Sequence, residues 1–105
     1  MCIRDRIPAD IVLRNENVVA FNDLNPQAPT HVLLVPTLHT ENAAGIARNS
    51  ARITADLFLA ADEIAKERGL NGYRTVCNTG EEAGQSVFHA HLHLLGGRAM
   101  TWPPG

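Results

Sequence analysis

Cysteine is scarce. Cys2 and Cys77 are the only two, far apart and without a Cys-x-x-Cys spacing, which leaves no basis for a disulfide framework or a thiolate zinc site. Cys77 is expected as a small core residue. Excess positive charge is also missing: 9 Lys plus Arg stand against 11 Asp plus Glu, for a formal charge of −2, so no basic field gathers nucleic acid. No apolar run approaches the roughly 18 residues of a membrane span, and no charged stretch leads into an apolar one as in a secretory signal, so the expected setting is cytoplasmic. Neither Gly-x-x-x-x-Gly-Lys nor Gly-x-Gly-x-x-Gly occurs, which excludes the common ATP and dinucleotide loops. At 105 residues the chain is expected to form one domain around one core.

What the chain does hold is His89-Ala90-His91-Leu92-His93-Leu94-Leu95, with an imidazole at every second position. Side chains alternate faces along a strand, so this spacing puts His89, His91 and His93 on one side and Ala90, Leu92 and Leu94 on the other. On a helix the same three would spread over roughly 200° of circumference, too wide for one small ligand at about 100° per residue. A single histidine is commonly structural. Three in alternation point to chemistry, because imidazole titrates near neutrality and serves as nucleophile, acid, base or ligand.

The remaining chain reads in order as strands, loop, helix and strand. Ile11 to Arg14 and Val18 to Phe21 form a hairpin across the polar Asn15-Glu16-Asn17 turn. Residues 22–30 hold Pro26 and Pro29 among turn formers and must be a loop. Asp23, just past a strand end, can accept two sugar hydroxyls, although a lone Asp there is also an ordinary turn former. His31-Val32-Leu33-Leu34-Val35-Pro36 is the candidate central strand. One helical turn is expected before Gly45, and a longer helix from a Ser50 N-cap to about Arg68, with Ile53, Leu57, Ala60, Ala61 and Ile64 as its apolar stripe and Gly69 as its stop. Tyr73 to Cys77 is a further strand. The Asn78 to Ser86 loop brings small residues and free donors beside the histidines, as an anionic phosphate requires, and is also a plausible plain hairpin loop. The tail from Gly96 to Gly105 is irregular, and its Trp102 suggests docking, for instance on a second subunit.

The opening Met1-Cys2-Ile3-Arg4-Asp5-Arg6 matches the translated end of a common transposon-based sequencing adapter. It is read as a non-native scar or a truncated terminus, with the domain expected over residues 7–105.

His89 to Leu95 resembles the His-φ-His-φ-His-φ-φ motif of the histidine triad (HIT) superfamily, φ being hydrophobic. Asp23 to His31, Asn78, Gly84-Gln85-Ser86 and Trp102-Pro103-Pro104-Gly105 resemble its nucleotide-binding HINT branch, and the third histidine stands where the nucleotidyltransferase branch carries glutamine. The resemblance implies an α+β fold, with an antiparallel sheet of about five strands covered by one long and one short helix, and a homodimer with the Trp102 tail near the partner's site. It also implies metal- and cofactor-free hydrolysis of purine nucleoside 5′-phosphoramidates such as adenosine phosphoramidate or adenylated lysine, with AMP and GMP derivatives as ligands. His91 would then attack the α-phosphorus, His93 and Ser86 would hold phosphate oxygens, and Asn78, Gly84, Gln85 and Ser86 would complete that cradle. Asp23 would hold the ribose, Phe21 and Leu24 would pack on the base, and His89 and His31 would orient the site. Relatives usually begin with a further strand whose aromatic residue closes the base pocket, a feature not matched before Ile7, and Ala83 stands where glycine is common. Two other readings compete: a nucleotide-binding scaffold without turnover, and a zinc protein ligated by the three histidines.

Overall fold

The computed structural model describes residues 10–85 and 89–104. The expectations placed on residues 1–9, on Ser86, Val87 and Phe88, and on Gly105 fall outside them. Five strands form one antiparallel sheet: β1 (Ile11–Arg14), β2 (Val18–Asn22), β3 (Thr30–Pro36), β4 (Tyr73–Val76) and β5 (Leu92–Gly96), in the order β1-β2-β3-β5-β4. Two helices, α1 (Ala43–Asn49) and α2 (Ala51–Glu67), lie between β3 and β4 in the chain.

The local chemistry explains these boundaries. Asn15 Oδ1 accepts from the N–H groups of Asn17 and Val18, both at 2.9 Å, which closes the first hairpin turn. Ser50 serves both helices, since its N–H donates to Ile46 O at 2.8 Å and its Oγ accepts from Ile53 N–H at 3.1 Å. The short helix departs from expectation: it runs through Gly45 rather than stopping there. Asn42 caps it by accepting from Gly45 N–H at 2.9 Å, and Gly45 sits in the first turn, where a Cβ would come within 3.2 Å of Thr40.

Residues paired across an antiparallel ladder share a face, so the register divides the sheet cleanly. Val18, Ala20, Val32, Leu34, Leu92 and Leu94 turn to the helices and pack with Ile46, Leu57, Ala60, Ala61 and Ile64. This is the main core, and truncating Leu94 to alanine there costs about 2–5 kcal/mol. The opposite face carries rows such as Phe21, Leu33, His93 and Val76, paired one to the next. On that face Val19, Phe21 and Val35 form a smaller buried cluster with Leu33 against it.

Two expectations need correction. The histidine strand is shorter than the alternation suggests, because β5 starts at Leu92 and leaves His89 and His91 before it. The ladder with β3 reaches Leu34–Leu92 and ends near Pro36, which has no N–H to donate; Ala90 N–H turns instead to Thr40 O at 2.7 Å. Cys77 is exposed, not a core residue, because it follows the last residue of β4 at the edge of the sheet.

Candidate active site

The strand register brings His31 (β3) and His93 (β5) onto the face away from the helices, with Asp23 at the end of the β2–β3 ladder, where its N–H donates to His31 O at 2.9 Å. His91 lies one step before β5, its ring centroid 4.9 Å from that of His93 at a steep 66° tilt. Four sequence-predicted residues, Asp23, His31, His91 and His93, are thus gathered by neighbouring strands.

Their hydrogen bonds assign the protons. Gln27 N–H donates to His31 Nδ1 at 3.0 Å, so a neutral His31 carries its proton on Nε2. That Nε2–H points to His93 Nδ1 at 2.9 Å, with Asp23 Oδ2 3.4 Å from the same nitrogen. His93 therefore accepts at Nδ1 and keeps its own proton on Nε2, as a neutral donor. Burial, aided by the neighbouring His91 and His31 and opposed by Asp23, lowers the His93 pKa to about 4. In His91 the order is reversed. Its Nδ1 lies 2.8 Å from the His89 carbonyl oxygen, which can only accept, so a neutral His91 carries its proton on Nδ1 and leaves the Nε2 lone pair bare.

His89 itself is 5% exposed and off this row. Its Nε2 faces Pro36 O at 3.4 Å and its Nδ1 faces Nδ1 of His39 at 2.9 Å. Burial lowers its pKa, so it too stays uncharged near neutrality. His39 was missed by sequence reasoning, since it sits in an irregular loop with no periodic neighbours to mark it.

The other predicted residues are placed less uniformly. Phe21 is buried on the site face, whereas Leu24 beside Asp23 is 85% exposed. Asn78 is half-buried, just beyond β4. The N–H groups of Gly84 and Gln85, expected to be free for a phosphate, are paired within their own loop, with Glu81 O at 2.9 Å and Gly80 O at 3.0 Å around a short 3-10 turn (Glu81–Ala83). The buried Gln85 side chain is likewise engaged: Oε1 accepts from Gly80 N–H and Nε2 donates to Glu41 O, both at 2.7 Å. Gln85 thereby ties the loop to the start of α1.

Among the described residues, Asp23, His31 and His93 bring ligand-type atoms within 4.8 Å of one another. A cation on His31 Nε2 would move that ring's proton to Nδ1, against the N–H of Gln27 at 3.0 Å. Two hydrogens cannot share that space, so the donor pattern fits a proton between two imidazoles and not a metal.

Fold and site together define an α+β protein that presents one imidazole nitrogen, stripped of its proton, beside a neutral imidazole donor. The HIT domain family profile matches residues 4–100. A 14 kDa zinc-binding protein of Zea mays is 47% identical over 107 residues, covering 98% of this chain and 83% of that protein. Adenylylsulfatase HINT1 of Arabidopsis thaliana is 41% identical over 107 residues, covering 98% and 72%. The crystal structure of a HIT family hydrolase from Legionella pneumophila Philadelphia 1 superposes with a TM-score of 0.90 at 43% identity, covering 97% of this chain and 93% of that one. The chain belongs to the HIT domain family, on its HINT branch.

Proposed function

We propose that the protein hydrolyses the P–N bond of purine nucleoside 5′-phosphoramidates, adenosine phosphoramidate and adenylated lysine among them, through a nucleotidyl-His91 intermediate. The observation that carries this reading is the 2.8 Å bond from His91 Nδ1 to the His89 carbonyl, because it leaves Nε2 as a neutral nucleophile. Nε2 attacks the α-phosphorus, the P–N bond breaks, and the departing nitrogen takes up a proton from solvent and leaves as the amine. Water then splits the new P–Nε2 bond, its oxygen joining phosphorus and its proton passing back to solvent, which gives the nucleoside monophosphate and returns the electron pair to Nε2. Throughout, the Nδ1 proton stays on the ring and its bond to His89 O spreads the positive charge of the phosphorylated imidazole. His93 Nε2–H and Ser86 are the donors to the phosphate oxygens, and Asp23 the acceptor for the ribose hydroxyls, with Phe21 and Leu24 toward the base and AMP and GMP as product-like ligands.

The same reading includes a cytoplasmic homodimer. Strand β4 is a sheet edge, and beside it runs a groove of about 490 Å³ lined by Val76, Cys77, Trp102 and Pro104 among others. A second copy would extend the sheet and cover exposed Trp102 and Tyr73. Among the described residues no helix is long and apolar enough to cross a membrane.

The test is hydrolysis of a fluorogenic adenosine phosphoramidate by the protein and by His91→Ala, with chelator present. Turnover abolished by the substitution and indifferent to chelator is the expected result. AMP binding without turnover in either protein would favour a scaffold, and chelator-sensitive turnover a metal site.

A further inference from the structure

Three successive residues after β3 grip the segment that precedes β5. His39 Nδ1 lies 2.9 Å from His89 Nδ1, Thr40 O accepts from Ala90 N–H at 2.7 Å, and Glu41 O accepts from Gln85 Nε2 at 2.7 Å. We propose that His39 is a positioning residue for the nucleophile: it sets the tautomer of His89 and, through the His89 peptide, the acceptor that keeps His91 Nε2 bare. This deepens the His91 reading above and rests on it.

The proton count leads there. Only one hydrogen fits between two Nδ1 atoms 2.9 Å apart. On the other side of the His89 ring, Pro36 O can only accept, so His89 carries its proton on Nε2 and offers a lone pair at Nδ1. His39 must therefore donate from Nδ1. The reverse arrangement would set a bare Nε2 against the Pro36 carbonyl at 3.4 Å, lone pair to lone pair. The two rings meet edge to face, with centroids 4.7 Å apart and planes at 70°. His39 is exposed, so its ring is not there to fill the core.

Removing the His39 donor leaves a buried ring nitrogen without a proton to accept. The His89 ring then turns, or moves its proton, and in either case it pulls on its own backbone. That backbone supplies the carbonyl 2.8 Å from His91 Nδ1, and the next residue is held to Thr40. A loosened carbonyl lets His91 populate the tautomer with its proton on Nε2, which cannot attack phosphorus. Displacements of about 1 Å at a reacting group cost up to about a hundredfold in rate.

The experiment compares the full chain with His39→Ala, His39→Asn and His39→Gln. Asparagine places an amide nitrogen where His39 Nδ1 stands; glutamine carries its amide one methylene further. Steady-state kinetics on adenosine phosphoramidate are paired with imidazole ¹⁵N spectra at pH 8. The expected result for His39→Ala is a kcat lower by roughly tenfold or more, KM within about twofold, and loss of the pure Nδ1-protonated signature of His91. His39→Asn should restore both readouts and His39→Gln neither; should His39→Ala fail to fold, these two variants decide between themselves. Wild-type kcat in His39→Ala, or a reduced kcat with the His91 signature unchanged, overturns the proposal. If the wild-type protein itself does not turn over, the phosphoramidate reading fails, and the spectra alone still decide the role of His39.

Discussion

Nε2 of His31 and Nδ1 of His93 stand 2.9 Å apart across the β3–β5 ladder, and a single proton lies between them. Its direction is set from outside the pair, by the Gln27 N–H that occupies the far side of the His31 ring. One backbone donor in the proline-bounded loop thus decides that His93 faces the site as a neutral N–H donor. Adding a proton to His93 would break this arrangement at the shared hydrogen.

Stability should therefore depend on pH on the acid side. Burial pushes the His93 pKa down to about 4 in the fold, from an ordinary imidazole value of about 6.5, so the unfolded chain binds more protons between those values. Stability is level above about pH 6.5 and falls as the pH drops toward 4; His89, also lowered, acts in the same sense. Thermal unfolding followed from pH 7.5 to 4 should show Tm declining below 6.5, with a shallower decline in His93→Asn. Parallel profiles for the two proteins would remove His93 from the account.

Asp23→Asn tests the ribose role. The Asp23 carboxylate already accepts from Asn25 N–H at 2.8 Å, a bond the amide oxygen of asparagine can keep, so the loop should survive. A charged hydrogen bond contributes about 1.5–3 kcal/mol. AMP affinity measured by calorimetry is expected to weaken by roughly 10- to 100-fold, with kcat changed far less. Unaltered affinity would place the ribose elsewhere.

Gln85→Ala removes a buried side chain that satisfies Gly80 N–H and Glu41 O together. The expected loss is about 2 kcal/mol in urea unfolding, because water can reach part of what is left unpaired. Hydrogen exchange should quicken in the Gly80 to Gln85 loop first. A loss below about 0.5 kcal/mol would mean that the loop holds itself.

Gly97→Ala should be the costlier of two neighbouring glycine substitutions. Gly97 has φ +89°, and its added Cβ would lie 2.9 Å from the rigid ring of Pro29. At Gly96 the clash, at 2.6 Å, is with the end of the Leu70 side chain, which can rotate away. Chemical denaturation should give about 2–3 kcal/mol for Gly97→Ala and less for Gly96→Ala. Equal losses would show that Leu70 cannot yield.

How much of this was legible beforehand follows from what local chemistry can encode. Ser50 announces itself as a cap, the Ile53 to Ile64 spacing has helical period, and Val32 to Val35 is apolar in the manner of a central strand, all features of short range. The departures have separate origins: Asn42 caps α1 ahead of Gly45 and carries the helix through it, Thr40 O captures Ala90 N–H from a remote part of the chain and delays β5, and Cys77 falls just past the end of β4.

Alternation from Leu92 to Leu95 by itself determined the faces of the last strand, with Leu92 and Leu94 toward the core and His93 opposite, because side-chain direction has period two whatever the strand pairs with. What only the tertiary structure decided is where each proton sits. Gln27 N–H, Pro36 O, His39 and the His89 carbonyl assign the tautomers of His31, His89, His93 and His91, and the outermost two of these rings are separated by 62 residues of chain. A hydrogen bond is directional and short, so its donor can be known only once the fold has brought both partners within about 3 Å.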